Sequence, residues 1–262
     1  MATHSACRIE SAAGTAIWLL RLVAVTLIPL TVALVSQPAQ AEGLQGARIL
    51  VMSKTAGYRH ASIPAGQAAL LDLARQEGFT VTFTEDAAQF NDGDLGKFDA
   101  VVFLNTTGDI LDPAQQASFK RYIGAGHGLL GIHAATDTEG DGGWPWYTAL
   151  IGARFKTHPA IQEARLTAVD SADRVVDTAG FRFTDEWYDF DNVSPERQAL
   201  VEIDRDSYDG STASGREPIV WRNDVSGGRA FYIGLGHTDE GYASPIMRDF
   251  VVQGLRYAVG DD

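Results

Sequence analysis

Cysteine is almost absent: the 262-residue chain has one, Cys7. It lies in an N-terminal segment that reads as removable. The mature chain would then have no disulfide, no thiolate metal site and no cysteine nucleophile. Glycine-rich nucleotide loops are missing as well, since neither GxGxxG nor GxxxxGK[ST] follows a strand. Closely spaced metal ligands of the His-x-x-x-His kind are absent. No internal repeat or low-complexity stretch breaks the chain. Basic residues are scarce too: 21 Lys and Arg stand against 34 Asp and Glu, for a net charge of -13. A surface this acidic disfavours nucleic acid and anionic membranes and leaves small neutral ligands open.

The longest apolar run, residues 22–35, follows Arg8 and Arg21 and precedes the small-residue site Ala39-Gln40-Ala41. Arg21 and Pro29 leave it shorter than the roughly 20 residues a spanning helix needs. Residues 1–41 therefore read as a secretory signal cleaved after Ala41, and the mature protein, 42–262, as periplasmic or secreted with no membrane attachment. Losing two arginines and one glutamate leaves the mature chain at -14. About 220 residues suffice for one domain held by its core.

Within the mature chain, residues 47–53 (ARILVMS), 79–84, 99–105 (DAVVFLN) and 129–133 read as strands. Helices separate the first from the second and the third from the fourth, opened by Ser62 and Pro64 and by Asp112-Pro113. The order predicts a doubly wound, mostly parallel α/β sheet. Between 140 and 226 the pattern turns to alternating strands such as 161–169 and 198–203, which predicts a β-rich insertion. Regularity returns with a strand at 229–235 and a helix opened by Ser244-Pro245.

Loops carrying His60, residues 105–109, and His133 to Asp137 all leave strands at the carboxyl edge, where such sheets bind ligands. The Gly131-Ile132-His133-Ala134-Ala135 turn has the small residues of a nucleophile elbow but a histidine at its apex, which disfavours a serine or cysteine hydrolase of that type. His60, His133, His158 and His237 all sit at strand ends or loop breaks, while His127 reads as structural. Two chemistries suit them. One is a metal site, zinc above all, built from His133, His158 and His237 with a carboxylate such as Glu186 and an open position for water. The other is metal-free proton transfer by His133 or His237, with Glu186 or Asp185 orienting. Adjacent carboxylates on a strand face opposite ways, which favours Glu186 over Asp185. Four residues are expected to share one pocket: His60, His133, Glu186 and His237. Trp144, Trp146, Tyr147, Trp187, Tyr188 and Tyr242 read either as stacking platforms for a sugar ring or as core of the insertion.

These motifs, in order, are Gly57-Tyr58-Arg59-His60, Gly131-Ile132-His133-Ala134-Ala135, His158-Pro159, Asp185-Glu186-Trp187-Tyr188, Pro218-Ile219-Val220-Trp221 and Gly236-His237-Thr238. Together they resemble the trehalose-utilisation (ThuA-like) family across the mature chain. The resemblance implies a flavodoxin-like sheet similar to class I glutamine amidotransferases. It implies no glutamine hydrolysis, because His133 replaces the nucleophile and His237 falls near that fold's catalytic histidine. The expected function is a carbohydrate-processing hydrolase or lyase acting on trehalose-type or oxidised (3-keto) glycosides. His133, Glu186 and His237 are its expected catalytic residues, and His60, Tyr58, Trp187, Tyr188 and Asp137 its substrate-binding residues. A non-catalytic sugar-binding or accessory protein is the alternative.

Overall fold

Neighbouring residues of the first strand, β1 (Arg48–Met52), belong to different cores. Ile49 and Val51 pack into one apolar cluster and Leu50 and Met52 into another, all four fully buried. Alternation of this kind, with no polar face left over, requires cover on both sides of the sheet. The helices supply it in the computed structural model, which describes residues 43–138, 143–169, 180–225 and 227–261. The expected secretory signal lies outside the described residues. No helix among them is long and apolar enough to cross a membrane.

The first half is β1, helix α1 (Ile63–Glu77), β2 (Thr80–Thr84), a short α2 (Asp92–Leu95), β3 (Ala100–Leu104), α3 (Pro113–Gly124) and β4 (Gly128–Ile132), the expected order with α2 added between the second and third strands. Local chemistry sets the helix ends. Asp112 and Gln115 form a reciprocal capping box at the start of α3, and Gly78 ends α1 in the left-handed conformation. Next come α4 (Pro145–Ile151), β5 (Arg154–Thr157), β6 (Gln162–Ala168), β7 (Phe181–Asp185), β8 (Asp189–Asp191), β9 (Gln198–Asp204), β10 (Arg216–Val225) and β11 (Gly228–Ile233). Helices α5 (Asp239–Ala243) and α6 (Pro245–Val259) close the chain.

One nine-stranded sheet runs β2-β1-β3-β4-β11-β10-β9-β6-β7, with β5 and β8 paired separately. The strands from β2 to β11 are parallel neighbours in the flavodoxin-like order, and those from β11 to β7 pair antiparallel. The β-rich insertion therefore extends the main sheet through β6, β7, β9 and β10, while its β5 and β8 pair apart from it. Helices α1 and α6 cover one face through Leu70, Leu73, Met247 and Phe250; α3 and α4 cover the other through Phe119, Ile123, Leu150 and Ile151. The carboxyl ends of β1, β3, β4 and β11 come out side by side, and the chain leaving β7 returns to the same edge, where its Asp185 meets the backbone of Gly236 and His237.

Candidate metal and catalytic site

The elbow after β4 places the first of the polar residues. Gly131 keeps the turn tight: a Cβ on it would lie 2.5 Å from Ile151 Cδ1 and 3.0 Å from Ala135 Cβ, so Ile151 would have to shift. The chain then turns sharply, and His133 takes φ of +49° as it enters a 3-10 turn, His133–Asp137. A non-glycine residue held in this region stores about 1–3 kcal/mol and needs surroundings that enforce it. Here the Tyr232 hydroxyl donates to the His133 carbonyl at 2.8 Å, and the imidazole is fully buried.

The His133 ring has a defined polarity. Nδ1 lies 3.3 Å from the carbonyl oxygen of Gly234, so it carries the hydrogen. Nε2 is then a lone pair, and it faces Glu186 Oε2 at 3.4 Å. A lone pair against a carboxylate is repulsive unless a cation, a proton or a metal ion, stands between them.

Two more imidazoles share that space. His237 Nδ1 is 3.0 Å from the same Glu186 Oε2, and His60 meets His133 and His237 edge-on with ring centres 4.9 and 5.0 Å apart. His60 Nδ1, His133 Nε2 and His237 Nδ1 are all buried and have no aligned hydrogen-bond partner. Protonating all three would stack like charges. Burial, with the charges of His133 and His237, pushes His60 down to about 3 and so keeps it neutral. Contact with Glu186 raises His237. Burial opposes ionisation of Glu186, but His133 and His237 outweigh it and hold the carboxyl below its ordinary range.

The donor atoms of His60, His133, Glu186 and His237 all lie within 4.8 Å of one another. Tetrahedral bonds of about 2.1 Å place donor atoms about 3.4 Å apart, so the His133–Glu186 and His237–Glu186 pairs at 3.4 and 3.0 Å already suit a divalent ion, and the widest pair would draw in by about 1.4 Å. Three neutral imidazoles and one carboxylate are also the donors that a borderline-soft transition metal prefers.

The four residues expected in one pocket are brought together. His158 is not part of the donor set, contrary to the expectation that it would join His133 and His237 as a ligand. It comes in behind β5, is 39% exposed, and turns Nδ1 to the Pro159 carbonyl at 2.9 Å and to the other Glu186 oxygen, Oε1, at 3.0 Å. His60, expected to bind substrate, stands in the donor set. Trp187 is fully buried in the core, its indole N–H donating to the Gln162 carbonyl, so it is no platform for a ligand. Tyr188 is also buried, packed on the His133 ring at 4.3 Å. Trp144, Trp146 and Tyr147 pack with Phe103 and Phe119. Tyr58, beside His60, remains 64% exposed, and half-buried Asp137 ends the elbow turn, its carboxyl raised by burial against the pull of Arg154 and His133. His127 stacks on Tyr122 away from the site.

Asp185 carries a role that strand alternation concealed. It is fully buried beneath the site; its Oδ1 accepts the backbone N–H groups of Glu186 and His237, and its Oδ2 that of Gly236.

The ThuA family, described as trehalose utilisation, matches residues 48–258. No curated protein matches the chain. Among solved structures, a ThuA-like protein from Bacteroides uniformis ATCC 8492 aligns with a TM-score of 0.71 at 20% identity, over 86% of this chain and 96% of that one. A ThuA-like protein from Parabacteroides merdae ATCC 43184 aligns at 0.64 and 19% identity, over 82% and 91%. A β-galactosidase from Bacillus circulans sp. alkalophilus shares the fold over 81% of this chain but 30% of its own length, at 0.53 and 14% identity.

Proposed function

The chain belongs to the ThuA, trehalose-utilisation, family, and from that premise we propose that it is an exported metal-assisted enzyme acting on a disaccharide or an oxidised (3-keto) glycoside. The observation that carries the reading is the gathering of donor atoms from three imidazoles and one carboxylate within 4.8 Å of one another, two of the ring nitrogens facing the same Glu186 oxygen. His60, His133, His237 and Glu186 would hold the ion, with zinc as the first candidate. Such an ion polarises a carbonyl or glycosidic oxygen and makes a bound water acidic enough to act near neutral pH.

The remaining residues divide the work around that centre. Glu186 keeps one oxygen toward the ring nitrogens and gives the other to His158, which stands at the solvent side of the site. In this reading His158 and Asp137 take substrate hydroxyls, and the exposed Tyr58 offers a face to a sugar ring. The loss of a nucleophile at the elbow fits hydrolysis or elimination without a covalent intermediate. Cleavage after Ala41 would put this chemistry in the periplasm or outside the cell, with a small carbohydrate as partner.

The test is to purify the mature chain, measure its metal content, and assay trehalose and 3-ketotrehalose before and after chelation and zinc return. Turnover that follows metal content supports the proposal. Sugar binding with no metal and no turnover would leave a binding or accessory protein instead.

A further inference from the structure

We propose that Asp185 is a positioning residue that sets the spacing of the metal-binding side chains, an inference that rests on the metal reading of the site. One buried carboxylate grips both ends of the ligand set. Its Oδ1 accepts from the backbone N–H of Glu186 at 2.8 Å and of His237 at 3.0 Å, and its Oδ2 accepts from Gly236 at 2.9 Å. Glu186 comes from the end of β7 at one edge of the sheet, and His237 follows β11 in its middle. No β-ladder joins those two strands, so within this edge Asp185 ties the two ligand-bearing loops directly.

The same short segment after β11 anchors the other two ligands. The Gly236 carbonyl accepts from Ser62 Oγ at 2.9 Å and Asn105 Nδ2 at 3.1 Å, and Ser62 is two residues beyond His60. The Gly234 carbonyl orients the His133 ring. Gly236 itself sits at φ of +124°, a conformation that a side chain would resist and that these bonds maintain. Residues 234–237 are thus a common strap for all four donors, and Asp185 holds it to Glu186. Groups that orient ligands in this way typically change metal affinity by 10- to 100-fold when altered.

Asp185→Asn tests the assignment, because the amide nitrogen replaces an acceptor with a donor facing a backbone N–H. Trp187→Phe serves as the control: it weakens the same connecting segment through its core side chain and touches none of the strap. Ser62→Ala, a milder trim on the far side of the Gly236 peptide, carries the test if Asp185→Asn does not fold. Cobalt(II) and zinc affinities are read by competition titration, and ligand geometry by the visible absorption of the cobalt form at saturation. Asp185→Asn should weaken both metals by about 10- to 100-fold and shift the cobalt spectrum. Ser62→Ala should lose about two- to tenfold, and Trp187→Phe should keep wild-type affinity and spectrum despite a lower melting temperature. Wild-type binding together with an unchanged Asp185→Asn, or an unchanged Ser62→Ala where that variant replaces it, would overturn this inference alone. A wild-type chain that binds neither metal would overturn the metal reading along with it.

Discussion

Asn105 and His133 occupy equivalent places on adjacent strands: each is the first residue beyond a fully buried parallel strand, and each has a left-handed backbone, φ of +51° and +49°. The Asn105 N–H donates to the carbonyl of Ile132, so the two turns are coupled. Both side chains leave the sheet at its carboxyl edge, His133 into the proposed metal site and Asn105 onto Ser62 and the Gly236 carbonyl beneath it.

Replacing Asn105 separates backbone strain from hydrogen bonding. Asn105→Ala removes the donors to Ser62 and Gly236 and puts a poorly tolerated residue at positive φ, for a loss of about 2–4 kcal/mol. Asn105→Gly loses the same bonds without the strain and should be less destabilised. Urea unfolding of both variants checks this; equal losses would refute the role given to the backbone.

Metal content after dialysis should sort the histidines. His133→Ala is expected to retain less than a tenth of the wild-type metal and to lose turnover with it. His158→Ala, altering a residue outside the donor set, is expected to stay stoichiometric while kcat/KM falls. Loss of metal in both variants to the same extent would contradict the four-donor assignment.

Stability and affinity should separate for the two aromatics once expected to contact substrate. Trp187→Ala leaves a cavity in the core and should lose about 3–5 kcal/mol. Tyr58→Ala, on an exposed side chain, should change stability by under about 0.5 kcal/mol and raise KM several-fold. Thermal melts beside substrate titrations measure both, and an unchanged KM for Tyr58→Ala would remove it from the site.

Acid sensitivity should trace in part to Asp189. Burial raises its carboxyl, but the Thr212, Ser211 and Arg205 donors outweigh burial and hold it below the ordinary range. A lowered carboxyl contributes stability that is complete above its unfolded value, about 3.9, and is lost as pH falls through the folded value. Asp189→Asn should therefore cost about 3 kcal/mol at pH 7, with a smaller further loss than wild type below about pH 4. Unfolding free energies measured from pH 7 to pH 3 test the sign; parallel curves would reject it.

Much of the scaffold was legible because its signals are local. The apolar runs behind β1, β3 and β4, the Asp112–Gln115 box and Gly78 act within a few residues, and β1 to β4 start and stop within a residue of their expected places. The histidines at strand ends were legible for the same reason, since a parallel topology sends every such loop to one edge. Trp187 reads either way because an aromatic among carboxylates suits a sugar site as well as a core. Its place in the core, with the indole N–H on the Gln162 carbonyl, depends on packing by strands and helices far off in the chain. His158 stands outside the four-residue group, and a strand-end histidine carries no mark in the sequence of which ring nitrogen is engaged.

The amino-acid order by itself determined that this chain would build a doubly wound sheet and deliver several imidazoles to its carboxyl edge, because period, caps and turns are short-range. Only the tertiary structure decided which of them meet. Asp185 reads from sequence as a carboxylate on the wrong face of a strand. It becomes the tie between Glu186 and His237 because its partners are backbone N–H groups, which every residue but proline carries and no sequence pattern distinguishes. Choosing His60 over His158 likewise depends on distances of a few ångströms between loops far apart in the chain, and those distances are set by how the strands pair and how the helices pack on them.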